Sequence, residues 1–215
     1  KQYFGYSPPA DRLIDQAIAD MKAQGAVIVD PANIPTASKM DACEIEVLLY
    51  EFKEDLNQYL ASRGPSAPVR SLQDLIAFNE KEKAREMPFF GQELFLSAQK
   101  KGPLTSPPYI TMRARCRSLA REQGIDLVLK QHRLDAIVAP TGSPAWATDP
   151  VNGDHFLGAS STPAAVAGYP SITVPAGQAH GLPVGISFIG TAWSEPRLIA
   201  LAYAYEQATK QRRAP

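Results

Sequence analysis

Apolar residues in the front of the chain recur at helical spacing. Leu13, Ile14, Ala17, Ile18 and Met21 form a stripe behind Pro8-Pro9-Ala10-Asp11, and Gly25 ends the helix they predict. Ala26-Val27-Ile28-Val29 then reads as a short buried strand, and Asp30-Pro31 opens a loop. Met40, Cys43, Val47, Tyr50, Leu56 and Tyr59 predict a second helix from about Ser38 to Leu60, stopped by Arg63-Gly64-Pro65. Ser71-Leu72-Gln73-Asp74 opens a third with an N-cap pattern. A long helix is predicted from about Pro108 to Lys130, broken or frayed near Gly124.

The rhythm changes after residue 135. Ala136-Ile137-Val138-Ala139 is a continuous apolar strand ended by Pro140, and Ser171-Ile172-Thr173-Val174 is a second, ended by Pro175. Val184 to Ile189 is a third. Helices from about Thr162 to Ala167 and Glu195 to Lys210 separate or follow the strands. Strands buried on both faces point to a layered α/β architecture.

Charge sharpens this division. Residues 136–193 contain only two charged side chains, Asp149 and Asp154, but 8 of the 14 glycines. So few solvating groups imply a mostly buried segment. Over the 215 residues, 22 Lys+Arg balance 22 Asp+Glu, which argues against a basic nucleic-acid footprint. No apolar run approaches the ~18 residues of a membrane span. The chain opens on Lys1 without an apolar leader and reads as a piece of a longer polypeptide. Nothing in the pattern assigns a compartment.

Candidate chemistry is sparse. There is no GxSxG elbow, Walker A loop or GxGxxG. Cys43 and Cys116 are too few for a disulfide framework or a four-thiolate zinc site, and Cys43 reads as a small core residue. His132, His155 and His180 lie far apart. Asp149, Asp154 and His155 read as a polar loop tip, with a divalent-cation site as the alternative. Ser97-Ala98-Gln99-Lys100 matches SxxK without its partner motifs and reads as a surface helix. No cofactor is called for. The loop Thr141-Gly142-Ser143-Pro144-Ala145-Trp146 leaves the carboxyl end of a buried strand, where α/β folds place ligands. Thr141, Gly142, Ser143 and Trp146 are the candidate substrate-binding residues, with Trp146 as a packing plug the alternative.

Four segments occur in order: Leu134-Asp135-Ala136-Ile137-Val138-Ala139-Pro140-Thr141, Ala167 to Gly177, Gly181-Leu182-Pro183-Val184-Gly185-Ile186-Ser187-Phe188-Ile189-Gly190, and a final helix from Glu195 to Glu206. Together they resemble the C-terminal part of the amidase signature family. The resemblance implies the C-terminal half of a layered α/β fold, with strands of a mixed sheet flanked by helices. Residues 1–215 would be the C-terminal part of one amidase domain: 1–135 mainly helical with one short strand, 136–215 the sheet-forming core and final helix. It also implies amide hydrolysis by a serine nucleophile, a second serine on a cis peptide and a lysine, all upstream of this chain, so no catalytic residue is assigned here.

The segment from Ser160 to Pro170 resembles the peptide-amidase-like branch. Gly158 and Ala165 stand where the glutamine-using amidotransferase subunit carries Asp and Asn, which speaks against free glutamine as substrate. The implied partners are a small-molecule or peptide amide and the N-terminal half of the enzyme, with self-association through open strand edges when that half is missing. Nucleic acid and membrane are not implied. The competing readings are a non-enzymatic binding or regulatory domain of the same fold, an amidotransferase subunit, and a hydrolase using Ser97 and Lys100.

Overall fold

The computed structural model describes residues 1–213. Its helices, in chain order, are α1 (Pro8–Ala23), α2 (Asp41–Ser62), α3 (Leu72–Lys81), α4 (Lys83–Glu86), α5 (Glu93–Gln99), α6 (Pro107–Ala120), α7 (Asp126–His132), α8 (Thr162–Ala167) and α9 (Glu195–Thr209). The strands are β1 (Ile137–Pro140), β2 (Ser171–Ala179) and β3 (Leu182–Ile189). The chain divides into two compact units: Lys1–Met40 with the described residues from Arg117 onward, and Asp41–Cys116.

In the first unit the strands form one sheet in the order β1-β3-β2. Every pairing is antiparallel, so the mixed pairing expected of the fold is absent among the described strands. The cause is local for β2 and β3: His180 and Gly181, at φ 54° and 80°, close a tight two-residue hairpin. Positive φ at both central residues matches the right-handed twist of the flanking strands. β2 also runs past Pro175, its expected end, through a register shift between Pro175 and Gly177. A proline is tolerated there because β2 is an outer strand, whose missing N–H costs no ladder bond.

Strand alternation gives the sheet two buried faces. Phe188 and Ile186 pack on Ile14 and Ala17 of α1 and on Leu198, Ala202 and Tyr205 of α9. Ile137 and Ile189 point the other way, onto Ala164 and Ala167 of α8 and onto Ile125, Val128 and Leu129. The helix predicted from Pro108 breaks where expected: a π turn, Arg121–Ile125, separates α6 from α7, and Gly124 sits in it at φ −117°, ψ −105°. Residues 26–29, expected as a strand, pair with no strand among the described residues, and Val27 is 89% exposed. An apolar run marks chain that can be covered; it does not supply the neighbouring ladder.

The second unit is helical. Ser71 caps α3, its hydroxyl accepting from Asp74 N at 3.1 Å. Lys101 bonds both carboxylate oxygens of Glu46, at 2.7 and 2.8 Å. Lys53 donates to Gln99 O and Lys101 O, tying α2 to the last residue of α5 and to the chain that follows it. Cys43 and Cys116 are both buried, and they are joined in a disulfide with Cα atoms 5.7 Å apart.

Candidate functional site

β1 ends at Pro140, and the backbone beyond it is tied on both sides. Thr141 N donates to Gly185 O at 2.9 Å, and Ser160 N donates to Thr141 O at 3.3 Å. Gly142 forms an isolated antiparallel bridge with Ala159. The buried Ser160 hydroxyl donates to Pro140 O at 2.7 Å. These bonds pinch together the base of a long surface loop, residues 142–159, and long loops on a rigid scaffold often carry function.

Thr141 is committed to the sheet. Its hydroxyl bonds the Thr173 hydroxyl and, at 2.8 Å, that of the buried Ser187. Gly185 makes room for this cluster, since a Cβ there would lie 2.8 Å from both threonine oxygens. Gly142 and Ser143 instead line a narrow cleft, together with Tyr3, Tyr6 and Ser7 from the start of the chain. The sequence reasoning missed these last three residues. They carry no motif and lie some 130 positions away, so only the fold brings them to β1.

Trp146 stands farther out on the loop and does not line that cleft. It is 39% exposed and so is no core plug within this chain. Its Nε1–H donates to Asp154 Oδ1 at 3.2 Å, and its ring meets Phe156 edge-on at 6.1 Å. The structure thus brings Gly142 and Ser143 to the cleft, keeps the Thr141 side chain in the hydroxyl cluster of the sheet and sets Trp146 apart on the loop.

The other candidates have structural duties. Asp149 accepts from Val151 N, Asn152 N and the Asn152 side chain. The Asn152 bonds hold its carboxyl below the usual range, with Val151 adding to the effect. No group of metal-ligating side chains occurs among the described residues. Ser97 lies in α5 and Lys100 follows it, in the second unit, with no hydrogen bond between their side chains.

Residues 1–199 match the family model for amidase, and the chain belongs to that family. A probable amidase from Arabidopsis thaliana is 37% identical over 213 residues, covering 94% of this chain and 37% of that protein. The crystal structure of native peptide amidase from Stenotrophomonas maltophilia superposes with a TM-score of 0.85 at 49% identity, covering 95% of this chain and 41% of that one. A mandelamide hydrolase from Pseudomonas putida is 27% identical over 208 residues, covering 91% of this chain and 40% of that protein. The chain therefore spans roughly two fifths of the length of each of these three proteins. The α/β fold expected from the sequence is the one this chain shares with that peptide amidase.

Proposed function

We propose that this chain is the C-terminal part of an amide hydrolase that cleaves peptide amides or other carboxamides to the acid and ammonia. The observation that carries the reading is the 49% identity to a peptide amidase across 95% of the chain. The serine nucleophile, the second serine and the lysine that the family resemblance implies belong to the preceding part of the polypeptide. There the nucleophile's oxygen adds to the amide carbonyl, ammonia departs with the proton relayed through the lysine, and water releases the acid. This chain supplies the far wall of the site. Gly142 and Ser143 line the cleft, Thr141 fixes their backbone, and Trp146 offers an apolar surface to the substrate's body. No cofactor takes part in this scheme.

The test measures ammonia release from N-blocked peptide amides and from glutamine, with the complete polypeptide and with residues 1–215 alone. Turnover of peptide amides by the complete polypeptide and none by the isolated chain is expected. Turnover of glutamine alone assigns the amidotransferase reading instead. Activity of the isolated chain that is lost in Ser97→Ala overturns the placement of the catalytic groups. No turnover of any amide leaves the binding-domain reading.

A further inference from the structure

Tyr6 lines the cleft together with Gly142 and Ser143, and its ring occupies the place of a side chain at position 158. A Cβ on Gly158 would lie 2.4 to 2.6 Å from three ring carbons, closer than any such atoms approach. Gly158 also has φ +148°, a region that disfavours every side chain. Beside Gly158 the Tyr6 ring therefore stands where a loop side chain would, and it adds an aromatic face to a cleft that Gly142, Ser143 and Ala159 also line.

The segment carrying Tyr6 is pinned before and after it. Ile34 N donates to the Gln2 side-chain oxygen at 2.5 Å, and Gln2 Nε2 donates back to Ile34 O at 3.5 Å. Gly5 N donates to Asp11 Oδ2 at 2.9 Å, and Asp11 N donates to Ser7 O at 2.9 Å. Tyr6 itself is 40% exposed. A rigidly mounted, half-open aromatic at a cleft offers contact area at low entropic cost. Asp11 lines the same cleft and places a carboxylate beside it.

We propose that Tyr6 is a specificity-determining residue of the amide site. Its ring packs on the part of the substrate adjoining the carboxamide and favours an apolar or aromatic residue there. An acidic residue meets the Asp11 carboxylate and is disfavoured. The proposal rests on the amide-hydrolase reading above.

The experiment compares steady-state kinetics of the complete polypeptide and its Tyr6→Phe and Tyr6→Ala variants on N-acetylated dipeptide amides ending in Phe, Ala or Glu. The wild type should prefer the Phe amide to the Ala amide, and both to the Glu amide. Tyr6→Phe should keep that order, because the ring does the work. Tyr6→Ala should narrow the Phe-to-Ala preference in kcat/KM by roughly fivefold, the order of an aromatic pair, through a higher KM for the Phe amide with kcat kept. If the alanine variant melts below the assay temperature, Tyr6→Leu takes its place and should narrow the preference less. An unchanged preference in an active variant, or an equal loss on all three amides, overturns the proposal and leaves the hydrolase reading standing. A wild type inactive on every amide overturns that reading and the proposal with it.

Discussion

Tyr169 donates its hydroxyl to Asp126 Oδ2 at 2.8 Å while the Arg121 guanidinium lies 5.1 Å from its ring centroid. Desolvation first, then the bond to Asp126, pushes the phenol up from 10.0 to about 12. The native state therefore holds this proton more tightly than the unfolded chain does. The resulting stabilisation is whole below pH 10 and is lost as the pH rises towards 12. Burial pushes the Tyr205 phenol up as well, so an ultraviolet alkaline titration should show late-ionising tyrosine absorbance that is reduced by one residue in Tyr169→Phe. Between those pH values the variant's unfolding free energy should fall less steeply than the wild type's. Identical titrations of the two proteins would refute this.

Thr36 donates its buried hydroxyl to Leu119 O at 2.7 Å, beside the π turn. A Cβ on Gly124 would sit 2.6 Å from the same carbonyl oxygen and 3.2 Å from the Thr36 hydroxyl. Gly124→Ala should thus cost about 1–3 kcal/mol through overpacking against backbone. Thr36→Val, which removes the donor, should cost about 1–3 kcal/mol. Urea unfolding measures both, and the double variant should fall short of the sum because the sites share one carbonyl.

The Cys43–Cys116 bond joins residues 73 apart in sequence. Removing it by Cys43→Ser with Cys116→Ser frees that loop in the unfolded chain and should cost about 2–4 kcal/mol. Reductant should lower the urea midpoint of the wild type and leave that of the double variant unchanged. Insensitivity of both would show that the bond does not form in the protein.

Expressed alone, residues 1–215 should self-associate. β1 and β2 are the outer strands of the sheet, and Val27 and Phe156 add exposed apolar surface. Light scattering should report species larger than a monomer. A monomer that binds no hydrophobic dye would contradict this.

Trp146→Ala in the complete polypeptide should raise KM by roughly tenfold with kcat little changed, since contact with the substrate's body is equal in ground and transition states. The melting temperature should change little, because the side chain is 39% exposed. A large loss of thermal stability with KM unaltered would remove Trp146 from the site.

Helices were legible wherever period, cap and stop agreed. The Ser71 cap, the start of α8 at Thr162 and the break at Gly124 all follow from short-range rules about hydroxyls, prolines and glycine. β2 outran its predicted end because edge position, which excuses Pro175, is a tertiary property. The disulfide was illegible for a related reason: two cysteines 73 residues apart say nothing of their distance until α2 and α6 are packed. The loop after β1 could be found from the strand preceding it. Tyr6 could not, since nothing in Phe4-Gly5-Tyr6-Ser7 announces that it meets Gly158, and the signal lies in the glycine's missing side chain. Trp146 was conspicuous by residue type alone, yet the structure pairs it with Asp154 and Phe156 outside the cleft.

The disulfide also says something about where the chain can be cut. Its Cα atoms stand 5.7 Å apart, a gap that a single bridging residue spans, since consecutive Cα atoms are about 3.8 Å apart. The stretch between the cysteines thus departs from the backbone and comes back to nearly the same spot. A segment with that geometry is a cassette. Its two ends lie close enough that a short turn could in geometry connect them. The cross-link fastens the mouth of the cassette.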